Sequence, residues 1–160
     1  MKQFKIASAS IFFFALLGLL LASNDLPAQN RFSNNELSIN AFRNPSIGLE
    51  YRYRSVSVHA GYYITNLEPD ITTKFLKTGL TAWFLPLGQK ENPSSFYAGA
   101  SYLRGLNLDY KDQNALGLEA GFRWMIWEGL NFRIGAIALA AKGHDLKINP
   151  TPGLSYSFFF

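Results

Sequence analysis

The chain predicts an all-β fold, an eight-stranded antiparallel up-and-down barrel with its apolar residues turned outward and its charges turned in. Three observations carry this expectation. From residue 36 onward apolar and polar residues alternate with period two, a spacing that sorts them onto the two faces of a strand and would scatter them around a helix. Turn-forming residues cut the alternation into eight segments. The polar face is rich in small residues, and Gly48, Gly61, Gly79, Gly99, Gly117, Gly121 and Gly135 relieve crowding inside a narrow barrel.

Before the strands, Met1 to Ala28 reads as a secretory signal peptide. Lys2 and Lys5 make a short basic start, Ile6 to Ala22 is mostly apolar, and Ser23 to Ala28 is more polar and ends on a small residue. Cleavage after Ala28 leaves one domain over residues 29–160. A retained membrane helix is the alternative, although Ser8 and Ser10 shorten the strongly apolar run.

Asn30 to Asn35 is a polar lead-in. The first segment, Glu36 to Phe42, turns Leu37, Ile39 and Ala41 outward and Ser38 and Asn40 inward, and Arg43-Asn44-Pro45 ends it. In the second, Ile47, Leu49, Tyr51 and Tyr53 oppose Gly48, Glu50, Arg52 and Arg54. The third, Val56 to Thr65, sets Val58, Ala60, Tyr62 and Ile64 against Ser57, His59, Gly61 and Tyr63, and Asn66 to Thr73 reads as an exposed loop. The fourth, Lys74 to Leu85, turns Leu76, Leu80, Ala82 and Phe84 outward and Lys77, Gly79, Thr81 and Trp83 inward. After a turn-rich connection from Pro86 to Ser94, the fifth places Phe96, Ala98, Ala100 and Tyr102 opposite Tyr97, Gly99 and Ser101. Asn107 to Asn114 reads as a charged loop. The sixth turns Leu116, Leu118, Ala120, Phe122, Trp124 and Ile126 outward against Gly117, Glu119, Gly121 and Arg123. Glu128-Gly129 makes a tight turn into the seventh, where Leu130, Phe132, Ile134, Ala136 and Ala138 oppose Asn131, Arg133 and Gly135. Lys142 to Asn149 is the last expected loop.

The closing segment sets Leu154, Tyr156, Phe158 and Phe160 on one face and Gly153, Ser155, Ser157 and Phe159 on the other. It resembles the C-terminal assembly signal of bacterial outer-membrane β-barrels, in which alternating outward apolar residues end on a terminal Phe; Gly153, Leu154, Tyr156, Phe158 and Phe160 carry the match. The resemblance implies a small transmembrane barrel in the outer membrane of a Gram-negative cell envelope. Its implied partners are outer-membrane lipid and, during insertion, the barrel-assembly machinery; the oligomeric state stays open. With the C-terminus periplasmic, as in that family, Tyr51, Tyr53, Trp83, Phe84, Phe96, Tyr97, Trp124, Trp127 and Phe158 to Phe160 gather at one interface as an aromatic girdle. Closure agrees with this, because lipid offers no hydrogen-bond partner and strands can span it only as a closed ring. Residues 44–53 and 149–158 also share the pattern N-P-[ST]-x-G-L-x-Y-x-aromatic, at the second and eighth strands, which run in the same direction.

Composition narrows the function classes. Without residues 1–28 the chain carries 13 basic and 10 acidic side chains, too balanced for nucleic acid, whose binders cluster positive charge on one face. With no cysteine, a lipid-anchored lipoprotein, disulfides and thiolate-bound metal are excluded. No motif for a nucleophilic serine elbow, a phosphate loop, a dinucleotide cofactor or a zinc protease occurs, and with His59 and His144 the only histidines no metal or cofactor site is expected.

The remaining constellation is the inward set Glu50, Arg52, His59, Lys77, Glu119, Arg123 and Arg133. An isolated buried charge is costly, so these groups are expected to pair in a network that fills the lumen. A structural or surface-interaction protein follows, with a small channel or transporter as the alternative. A lipid-modifying enzyme is a third reading, since some small outer-membrane barrels use a His with a Ser and an acidic partner, and Ser57 precedes His59 by two positions on one face. A soluble lipocalin-like barrel would reverse the faces, burying Leu49, Tyr51 and Phe122.

Overall fold

The computed structural model describes residues 32–42, 46–68 and 71–160. The expected signal peptide at residues 1–28 lies outside the described residues. The strands are β1 (Asn35–Ala41), β2 (Ile47–Tyr53), β3 (Val56–Glu68), β4 (Ile71–Leu87), β5 (Ser94–Gly105), β6 (Asn114–Trp127), β7 (Leu130–Ala141), β8 (Lys147–Pro150) and β9 (Gly153–Phe159). One 3-10 turn, Leu108–Tyr110, lies between β5 and β6.

Each strand from β1 to β7 pairs antiparallel with the next, β7 pairs also with β9, and β1 pairs with both β2 and β9, so the sheet closes on itself. β8 and β9 together form the eighth stave. Their register on β7 runs without slip from Leu139 opposite Lys147 to Leu130 opposite Tyr156. The ladder lapses at Thr151-Pro152, where proline has no N–H to donate, although Thr151 still donates its N–H to the Gly135 carbonyl at 2.8 Å. The result is an eight-stranded closed antiparallel barrel.

The staves are staggered. Stepping across registered partners from Glu36 leads through Arg52, Ser57, Thr81, Gly99, Glu119 and Ile137 to Asn149. Continued at the β9–β1 register, that path returns level with position 46, a stagger of ten residues from the starting point at 36. For eight strands this stagger demands a tilt of roughly 40° and an interior that side chains fill.

Every inward residue named above within β1 to β9 keeps its parity, and Arg54, expected inward, is the departure. It has φ of 52° in the β2–β3 turn and is exposed there. The three expected loops are shorter or more ordered than the sequence suggests. Asn66 to Thr73 is mostly ladder, with Thr65 opposite Thr73 and Asn66 opposite Thr72, because β-branched Ile71, Thr72 and Thr73 suit a strand. In the segment Lys142 to Asn149, β7 pairs with Lys147, Ile148 and Asn149. Within Asn107 to Asn114 the 3-10 turn carries Tyr110 into the barrel, where it is buried. β4 runs to Leu87 through a bulge at Leu85, whose φ is 49°, beside Pro86.

The two-residue turn between β6 and β7 holds the closing stave. Gly129 has φ of +91°, and its carbonyl accepts from the Ser157 N–H at 2.8 Å and the Asn131 amide at 3.0 Å. Gly129→Ala is expected to cost about 1–2 kcal/mol, because an L side chain strains that backbone. Denaturant unfolding of the purified barrel measures the loss, and a cost near zero would show that the turn relaxes freely.

Candidate functional site: the ionic interior

Three layers fill the barrel. At the end carrying the β3–β4, β5–β6 and β7–β8 connections, here the loop end, Tyr63, Phe75, Leu103, Tyr110, Ala115, Ile137 and Leu139 form a buried apolar plug. Tyr110 packs edge-on against Phe75 at 5.4 Å and stacks on His144 at 4.2 Å between ring centroids. At the other end, which holds the C-terminus, Phe32, Trp83 and Tyr97 form a second buried cluster. Trp83 and Tyr97, which the strand pattern places inward and the girdle places outside, follow the strand pattern and face inward.

Between the plugs lies the charged layer. Glu50, Arg52, His59, Lys77, Glu119, Arg123 and Arg133 are all buried there, each on an inward strand position. Glu36 joins them at 1% exposure. Sequence reasoning missed it, although its parity with Ser38 and Asn40 on β1 was the available signal.

Alternation places these side chains inside; closure then brings together those that are far apart in sequence. Glu36 takes two arginines. Arg52, its direct partner across β1–β2, donates Nε to Oε2 at 2.7 Å and pairs also through Nη2. Arg123, from β6 across the lumen, donates Nη1 to Oε1 at 2.7 Å and to Oε2 at 3.1 Å. Glu50 on β2 receives Arg133 Nη1 from β7 at 2.6 Å and the Ser57 hydroxyl from β3. Lys77 Nζ on β4 reaches Glu119 Oε2 on β6 at 2.7 Å.

An aromatic side chain organises two of the cations. The guanidinium carbons of Arg123 and Arg133 lie 4.4 and 4.9 Å from the Trp83 ring centroid, where the ring quadrupole attracts positive charge. The indole N–H of Trp83 donates to Ser57 Oγ at 2.9 Å, continuing the chain to Glu50.

The Ser57–His59 pair considered for catalysis is not joined by a hydrogen bond. Ser57 is bonded to Glu50 and Trp83, whereas His59 places Nε2 at 3.1 Å from Ser101 Oγ and Nδ1 at 3.3 Å from Thr81 Oγ1. Both of its ring nitrogens meet hydroxyls rather than carboxylates.

The outer wall has the opposite character. Leu49, Leu80 and Leu116 are 55%, 60% and 66% exposed, while the charges of the middle layer are buried and the other strand charges described, Lys74, Arg104 and Lys147, lie toward the loop end. The fold and this interior define a class: a small closed antiparallel β-barrel, inverted in polarity, with an ion-paired interior between two buried clusters rich in aromatic residues. No protein-family model, curated protein or solved structure matches the chain.

Proposed function

We propose that this chain is an integral barrel of the bacterial outer membrane with a structural or surface-interaction role, its lumen filled by the ionic network. The observation that carries this reading is the inverted polarity. A soluble barrel that left Leu37, Ile39, Leu49, Val58, Leu76, Leu80, Leu116, Leu118, Ile134 and Leu154 on its surface would expose an apolar band far larger than soluble monomers tolerate. In lipid the same band is the favourable face, and the closed ladder satisfies the backbone where no water is present.

The aromatic residues support the same placement. Tyr51, Tyr53, Phe96, Trp124, Trp127, Tyr156, Phe158 and Phe160 are exposed on the outside, clustered toward the end holding the C-terminus. This is an interfacial girdle without Trp83 and Tyr97. The apolar plug and the aromatic cluster, one on each side of the charged layer, favour a non-conducting interior over a channel. The separate partners of Ser57 and His59 favour a non-enzymatic role. Loop-end residues such as Asp109, Lys111, Asp112 and Asp145, all exposed, supply the polar surface available for contact with other molecules.

The test is gel mobility of the mature chain extracted from an outer-membrane fraction, run unboiled and boiled. A compact unboiled band that shifts on heating, with no conductance steps in planar bilayers, is expected. Recovery from the soluble periplasm with no heat shift would overturn the membrane reading, and stable conductance steps would replace the closed interior with a channel.

A further inference from the structure

Two inward rows cross the wall formed by β5, β6, β7 and the eighth stave. One runs Ser95, Arg123, Arg133, Gly153 through registered partners, and the next runs Tyr97, Gly121, Gly135, with Thr151 bonded to Gly135. Ser95, Arg123 and Thr151 are 0% exposed and Arg133 is 5% exposed. Arg123 and Arg133 stand directly opposite one another, a like-charge pairing that destabilises a ladder unless something compensates it.

The hydrogen bonding of both is incomplete. Arg123 and Arg133 each spend Nη1 on a carboxylate. Nε and Nη2 of both, together with the hydroxyls of Ser95 and Thr151, have no partner among the described residues. Trp83 covers guanidinium faces, but the N–H bonds lie in the guanidinium plane and need acceptors of their own. The Tyr97 hydroxyl sits over the neighbouring glycines, 2.7 Å from where a Cβ of Gly121 or Gly135 would be. Asn40 Nδ2, on β1, is a further buried donor without a partner, and Asn131 Oδ1 is the orphaned acceptor in the adjoining row.

The charge count points the same way. The buried ionic groups of the described residues are four cations, Arg52, Lys77, Arg123 and Arg133, against three carboxylates, Glu36, Glu50 and Glu119. Among the described residues the buried carboxylates are one fewer than the cations, and the orphaned donors are concentrated around Arg123 and Arg133. We infer that a small inorganic anion, with the charge and approximate size of chloride, binds inside the barrel between Arg123, Arg133 and Ser95. A water there would accept hydrogen bonds but leave the charge uncompensated; an anion supplies both, through charge-assisted bonds in a low-dielectric interior. The site depends on the closed interior alone, so it stands apart from the membrane assignment.

The experiment melts the full mature barrel, folded in nonionic detergent, in sodium chloride and in sodium gluconate at matched ionic strength. Chloride is expected to raise the midpoint by roughly 4–7 °C for each tenfold increase above its dissociation constant, and the bulky gluconate is not. Ser95→Asp supplies a carboxylate opposite Arg123, and is expected to raise the midpoint in gluconate and abolish the chloride response. Crystals grown in bromide should show an anomalous peak within hydrogen-bond reach of Arg123, a readout that does not depend on the variant folding. Equal wild-type midpoints in the two salts, a chloride response that survives in Ser95→Asp, or an ordered water without an anomalous peak would overturn the inference.

Discussion

Glu36→Leu is expected to destabilise the barrel by about 3–5 kcal/mol, the cost of leaving buried charge without its partner. One carboxylate here serves both Arg52 and Arg123, and all three side chains are at most 2% exposed. Once Glu36 is gone Arg52 keeps its bond to the Arg54 carbonyl, whereas Arg123 is left with no carboxylate among the described residues. Removing one of the stranded cations as well, in Glu36→Leu/Arg123→Met, is expected to return part of the loss, with a coupling of about 1–3 kcal/mol between the two positions. Denaturant unfolding in detergent or lipid, followed by tryptophan fluorescence, measures the whole cycle. A single-variant cost below about 1 kcal/mol would mean that water replaces the carboxylate and that the interior is wetter than its packing implies.

Trp83→Ala is expected to cost a similar amount, about 3–5 kcal/mol, for a different reason. The indole is 1% exposed, packs on Tyr97 at 5.3 Å between ring centroids, and carries both Arg123 and Arg133 on its ring. Truncation leaves a cavity and removes the surface that holds two like charges near each other. Trp83→Phe separates the contributions. It retains an aromatic face for the guanidinium groups and loses the N–H donated to Ser57, so a loss of about 1–2 kcal/mol is expected. The same unfolding measurement distinguishes them, and equal losses for the two variants would place the whole effect in the hydrogen bond rather than in the stacking.

Much of the architecture was legible because it depends on local periodicity. In β2, Ile47, Leu49 and Tyr51, and in β6, Leu116, Leu118, Ala120 and Phe122, are each followed by an inward Gly, Glu or Arg, and no other regular structure separates those sets. The boundaries were harder to read. Residues 66–73 and 142–149 contain Asn, Asp, Gly and Lys, which suggest loops, yet Asn66, Thr72, Lys147 and Asn149 are held in ladders by neighbouring strands. Tyr110 sits in a polar stretch with Asp109, Lys111 and Asp112. Only the packing against Phe75 and His144 reveals it as part of a plug.

Which residues share a face was determined by the sequence itself, since side chains on a strand alternate whatever their neighbours are; which of the two faces lines the interior was decided by the closed barrel. The grouping of six charged side chains and His59 on one face followed from that alternation, and parity would have added Glu36. The tertiary structure alone decided how those charges pair. Arg123 meets Glu36 and Arg133 meets Glu50 at separations of 87 and 83 residues, because the stagger of a closed barrel brings particular rows of distant staves to the same height. Closure also set Trp83, on the inward position its strand pattern had assigned, beneath two arginines. Alternation is local and survives any arrangement of the strands, whereas a partner across the lumen exists only once every strand has taken its register.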